Sequence, residues 1–157
     1  MSGTRARKSW RNILRRRILN SEEERAVVQA IGDAEKGNRG EVRVHLEARC
    51  PVDDPLARAG ELFKELGMQR TAEGTGVLLY VAERDRRAAV YAGPGIHGAA
   101  EKNFWQDVVN AVAEGFSGRE PARGIIRALG MIGSLLRDTV PGEDVSGNEL
   151  PDEVTRS

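Results

Sequence analysis

Two short apolar runs, at residues 77–82 and 88–92, set the pattern of the chain. Each has the length of a strand, too short for a helix that must meet its own nucleation cost. Neither alternates apolar with polar residues, so both faces of each strand are predicted to be covered. The charged stretch Glu83-Arg84-Asp85-Arg86-Arg87 separates them, and Gly93-Pro94-Gly95 follows. The pattern predicts a central antiparallel hairpin, sandwiched by helices and ending in a glycine-rich turn.

Upstream, residues 41–48 alternate cleanly. Val42, Val44, Leu46 and Ala48 would face the core. Glu41, Arg43, His45 and Glu47 would face the other way, giving a strand with one open or polar-lined face. Before it, Ser21-Glu22-Glu23-Glu24 has the form of a capping box, with the Ser21 oxygen for an orphan N–H and a glutamate three residues on. Val27, Val28 and Ile31 continue an apolar stripe and Gly37-Asn38 stops it, placing a helix at about 21–36. Asp54-Pro55 supplies a second N-cap with proline at the first helical position. Its stripe is Leu56, Ala59, Leu62, Phe63 and Leu66, ended by Gly67. Strand, helix, strand in this order predicts a parallel pair with a right-handed crossover.

After the hairpin a helix is expected over residues 99–115, with Phe104, Val108, Ala111 and Val112 on its apolar face and Trp105 and Val109 widening it. Pro121 opens the last helix, where Ile125, Leu129, Ile132 and Leu136 share a face. Gly124, Gly130 and Gly133 each cost roughly 1 kcal/mol relative to Ala there, tolerable where a neighbour packs closely. These elements make an α/β protein: an α/β/α sandwich with a small mixed sheet of three or four strands flanked by helices.

A chain of 157 residues suits one domain. Charge and periodicity divide it into a basic amphipathic extension (1–20), the α/β domain (21–140) and an acidic loop or tail (141–157). The 24 basic and 24 acidic residues balance overall, but residues 1–20 hold seven Arg or Lys and no acid. Trp10, Ile13, Leu14, Ile18 and Leu19 fall at helical spacing among Arg11, Arg15, Arg16 and Arg17. That is the pattern of an interfacial anchor for an anionic membrane surface, or of a stripe that packs onto the domain. Nucleic acid is disfavoured as a partner, because Tyr80 and Tyr91 lie in core-like strands and form no aromatic platform. The lone Cys50 excludes an intrachain disulfide and reads as a small structural residue. No apolar h-region of a signal peptide is present near Met1. The expected location is cytoplasmic, with peripheral attachment at the inner membrane.

Chemistry is sparse. Gly93-Pro94-Gly95 is a tight turn rather than a phosphate loop, since neither GxGxxG nor GxxxxGK[ST] is present. His97 follows this turn at a helix start and is the candidate catalytic residue. His45, the other histidine, is expected to be solvated on its strand's polar face. Glu143, Asp144, Glu149, Asp152 and Glu153 put five carboxylates into eleven residues. Hard cations such as calcium take loop oxygens of this kind, though the spacing is not that of an EF-hand and a solvated acidic tail is the alternative.

Several stretches in order resemble the TPM domain family, named from a thylakoid lumen protein, a photosystem II repair protein and a nematode receptor modulator. They are Ser21-Glu22-Glu23-Glu24, RGEVRVHLE at 39–47, RAGELFKELGMQRT at 58–71, GVLLY at 76–80, Gly95-Ile96-His97, Phe104-Trp105 and NELPDE at 148–153. The chain looks closest to short bacterial members without a signal peptide. The resemblance implies an α/β sandwich, and activities associated with the family: acid phosphatase, calcium binding, and upkeep of membrane complexes. The family pattern after the hairpin is Gly-Asp-x-Gly-Ile, and here the acidic position is Gly93. The usual Asn before Gly-Val-Leu is Thr75. The acids left at matching positions, Glu41, Glu149, Asp152 and Glu153, are the metal candidates for calcium or magnesium. The leading expectation is therefore a non-catalytic TPM-type interaction module with a protein partner. The alternative is a weak cation-dependent acid-phosphatase-like enzyme using His97.

Overall fold

The computed structural model describes residues 18–71, 73–143 and 154–157. Five helices and four strands are described: α1 (Ser21–Glu35), β1 (Glu41–Glu47), α2 (Pro55–Glu65), β2 (Gly76–Ala82), β3 (Arg87–Ala92), α3 (Pro94–His97), α4 (Phe104–Ser117), α5 (Pro121–Thr139) and β4 (Val154–Arg156). The strands form one mixed sheet in the order β3-β2-β1-β4. β1 runs parallel to both β2 and β4, and β2 pairs antiparallel with β3. The α/β sandwich and the crossover from β1 through α2 to β2 are as the pattern predicts.

Both faces of the sheet are covered by apolar clusters. Val42, Val44, Leu46, Val77, Leu79, Val81 and Val90 meet α1, α4 and α5 through Val27, Ile31, Val108, Ile125, Leu129, Ile132 and Leu136. On the opposite face Leu78, Tyr80 and Ala89 meet α2 and the following turn through Ala59, Leu62, Phe63 and Met68. This explains why β2 shows no alternation: all seven of its residues are buried. Two glycines let helices close on one another. A Cβ on Gly124 would lie 2.8 Å from the Gly115 Cα, and one on Gly133 would lie 2.8 Å from the Ala34 Cα. Gly130 has open space beside it.

Several boundaries differ from the sequence reading. The α1 N-cap is Asn20, not Ser21: its side chain accepts from the Glu23 N–H at 2.8 Å while Glu23 accepts from the Asn20 N–H. Asparagine caps as well as serine, and Glu23 completes the box one residue earlier. The helix expected from residue 99 begins at Phe104. Leu56 is exposed, not part of the buried stripe. The hairpin is not central, because β3 lies at one end of the sheet. β4 falls within the stretch read as acidic tail, where a strand follows because β1 has a free side to pair. Of the amphipathic pattern over residues 10–19, only Ile18 and Leu19 are described; Leu19 is buried in the core. Among the described residues no helix is long and apolar enough to cross a membrane.

Candidate functional site

The Gly93–His97 turn lies beyond the end of β3. His97 is exposed on α3 and lines a cleft of about 640 Å³ with Phe63, Lys64, Tyr91, Gly93 and Pro94. Glu41 starts β1 at the same end of the sheet but is buried, with Gly76 of β2 between it and Gly93. It is not among the residues that line the cleft. Gly93 has an ordinary φ of −65°. Its need for glycine is steric: a Cβ there would sit 2.4 Å from the Gly74 carbonyl oxygen. The backbone of Gly74 thus occupies the place a family aspartate would need. Thr75 donates its hydroxyl to the Arg39 carbonyl at 3.0 Å. Glu149, Asp152 and Glu153 lie outside the described residues. Among the described residues no group of three His, Cys, Asp or Glu side chains converges as a metal site. Of the four metal candidates, Glu41 alone lies among the described residues.

The polar face of β1 is the main correction to the sequence reading. Alternation aims Glu41, Arg43, His45 and Glu47 toward the α2 side, but all four are buried. Glu47 takes a bidentate fork from Arg58 of α2, at 2.9 and 2.7 Å. It also accepts from the Tyr80 hydroxyl at 2.7 Å and from Ser157 Oγ at 2.6 Å. Burial raises the Glu47 carboxyl pKa, but Arg58, Ser157 and Tyr80 together outweigh it and hold it at about 2. Burial and the bond to Glu47 push the Tyr80 phenol well above its ordinary range. His45 is not solvated: Nε2 meets Ser157 Oγ and Nδ1 meets Thr155 Oγ1, both at 2.6 Å. Burial holds its imidazole below the ordinary value, with the charge of Glu47 opposing that shift.

Proton accounting fixes the direction of this chain of bonds. An ionised carboxylate only accepts, so the single Ser157 hydroxyl proton goes to Glu47. Ser157 Oγ then accepts from His45 Nε2–H, while His45 Nδ1 and the Val44 carbonyl, at 2.6 and 3.4 Å, share the Thr155 hydroxyl. A serine nucleophile needs the reverse, a bare imidazole nitrogen taking the serine proton and a carboxylate on the far nitrogen. Ser, His and Glu are therefore close together here without forming a nucleophilic triad. The network joins β4 to β1, helped by Arg156, which pairs with Glu24 and Glu83 at 3.4 and 3.1 Å. The sequence signal was present: charged residues alternating along a strand next to a fully apolar one must meet polar partners.

A second feature lies along the outer edge of β3. A groove of about 490 Å³ runs between the start of α2 and the exposed side of α4. Leu56, Trp105, Val109 and Ala113 give it apolar walls, with Ala88 and Val90 at its floor. Arg86 and Arg87 stand at one end. Gly93 N–H bonds to the Gly76 carbonyl, so in the antiparallel register Tyr91, Ala89 and Arg87 also turn their backbone groups toward β2. Ala88 and Val90 turn theirs outward, and among the described residues no strand lies beyond β3. The signal in sequence is weak: an alanine-rich run beside an Arg pair.

Comparison with known proteins agrees with this architecture. The TPM domain family model matches residues 15–135. The NMR structure of the BA42 protein from the psychrophilic bacterium Bizionia argentinensis is 34% identical, with a TM-score of 0.81, covering 91% of this chain and 98% of that one. The N-terminal domain of a P. gingivalis protein (17% identity, TM-score 0.64, 78% of this chain and 79% of that one) shares the fold. So does the N-terminal domain of the cg2496 protein from Corynebacterium glutamicum (15%, 0.59, 75% and 74%). None of the curated proteins matches the chain.

Proposed function

The chain belongs to the TPM domain family, and from that premise we propose that it is a non-catalytic interaction module that binds a protein partner along the β3 edge. The observation that carries this reading is the outward-facing backbone of Ala88 and Val90 inside an apolar groove. Unpaired strand edges template pairing with another chain, and proteins that do not use them blunt or cover them. The Ser157–His45–Glu47 cluster supports the same reading, since its bonds run in the wrong direction for attack and tie strands together instead. Attachment to an anionic membrane surface through residues 1–20 belongs to this proposal and rests on their charge and spacing.

A photo-reactive side chain at Ala113, on the groove wall, should cross-link to a discrete partner. Leu56→Asp should abolish the cross-link while leaving the melting temperature within a few degrees, because Leu56 is 49% exposed. Turnover of a phosphate ester that requires calcium or magnesium and is lost in Glu41→Gln would overturn the non-catalytic reading. Vesicle co-sedimentation that is equal for anionic and neutral lipid would remove the membrane part.

A further inference from the structure

The β3 groove carries more than an open edge, because its charges are uneven. The hairpin loop holds Glu83, Arg84, Asp85 and Arg86, and β3 begins at Arg87. Both acids are committed elsewhere. Glu83 pairs with Arg156, while Asp85 pairs with Arg49 and accepts the Cys50 N–H at 2.7 Å. Arg86 and Arg87 are exposed, and among the described residues neither has an ion-pair partner. Asp54, the acid on the groove wall, caps α2 by accepting the Leu56 N–H at 3.0 Å. The mouth of the groove is therefore net basic. Arg86 takes a left-handed φ of 53° within the four-residue loop.

Resting on the interaction-module reading, we propose that the groove takes an extended, acidic segment of a partner protein as an added strand beside β3. The outward N–H and C=O groups of Ala88 and Val90 would bond its backbone. Successive residues of the segment would point alternately toward Leu56 on one side and toward Trp105 and Val109 on the other. Antiparallel addition places the segment's C-terminal end beside Arg86 and Arg87, where carboxylates are held by charge-assisted bonds. A basic segment would meet two uncompensated guanidinium groups there and be rejected.

The probe is an acetylated and amidated octapeptide, Thr-Val-Thr-Val-Thr-Val-Glu-Glu, titrated into the nitrogen-15-labelled full chain. Its partners are the same peptide ending in Lys-Lys and one with N-methyl groups on alternate residues. The expected result is a saturable shift at Ala88 and Val90, with slowed hydrogen exchange at both amides. Affinity should fall about tenfold in the Arg86→Gln, Arg87→Gln double variant, as two exposed ion pairs are lost. It should vanish with the N-methylated peptide. Equal binding of the acidic and lysine peptides at Ala88 and Val90 would overturn the acidic preference alone. Failure of every peptide to change those two amides, or shifts confined to Phe63, Tyr91 and His97, would overturn the groove itself.

Discussion

Replacing Glu47 by glutamine should be the most damaging isosteric change on the sheet. The carboxylate receives four short bonds, two from Arg58 and one each from Tyr80 and Ser157. Glutamine keeps the shape but removes the charge, and its amide cannot accept all four. Arg58 keeps its pair with the half-exposed Glu61 at 3.2 Å. Two routes give the size of the loss. The Glu47 pKa falls from an ordinary 4.5 to about 2 on folding, which by linkage corresponds to about 3 kcal/mol of stability at neutral pH. Breaking one side of a buried ion pair costs about 3–5 kcal/mol. With side-chain exposures of 10% for Glu47 and 15% for Arg58, the lower end applies.

The assay is urea unfolding of the wild type and Glu47→Gln between pH 7 and pH 3. The folded carboxyl binds its proton less tightly than the unfolded one, so its stabilisation is complete above the unfolded value of 4.5 and is lost as pH falls toward about 2. The gap between the two proteins should be about 3 kcal/mol at pH 7 and shrink to about 1 kcal/mol at pH 3. In thermal melts at neutral pH it should appear as a drop of about 6–12 °C. A variant within 1 kcal/mol of wild type at pH 7, or a gap that does not narrow with acid, would refute the account of Glu47 as an ionised anchor.

Three further outcomes follow from the same geometry. The folded His45 imidazole titrates below 6.5, so stability should fall as pH drops below that value. His45→Gln should flatten the slope between pH 7 and 5.5 in denaturant midpoints. Gly130→Ala should stabilise by about 0.5–1 kcal/mol through helix propensity, whereas Gly124→Ala should destabilise by about 1–3 kcal/mol through overpacking; calorimetry of the pair reads the difference in sign. Gly93→Asp, whose Cβ would press on the Gly74 carbonyl, should lower the melting temperature, and calcium should not restore it.

How far the fold can be read in the sequence depends on the range over which each signal acts. Asp54-Pro55, the Ile125 to Leu136 stripe and the pair β2–β3 are set by neighbours within a few residues, and each forms as the pattern predicts. The polar face of β1 is different. Alternation shows that Glu41, Arg43, His45 and Glu47 share one side, but not what covers it. The partners of His45 are Thr155 and Ser157, more than a hundred residues away. No local rule brings them to β1, and an acidic stretch of low periodicity gives no sign of a strand at its end. Local pattern alone therefore leaves His45 solvated, whereas its tertiary pairing with β4 buries it.

The β3 edge was hidden by a related effect. Strands covered on both faces read as continuous apolar runs whether they are central or terminal, because face coverage and edge pairing are separate properties. Residues 88–92 meet α2 on one face and α4 on the other, so they look central. Only the order β3-β2-β1-β4 shows that their outer backbone is unpaired among the described strands. The run is also thin: Ala88, Ala89 and Ala92 bring little bulk to the edge, and Leu56 and Trp105 line the groove beside it. The two long-range features lie at opposite ends of the sheet: the Glu47 network fixes β4 beside β1, and among the described strands β3 ends the other side with an unpaired edge bordered by Arg86 and Arg87.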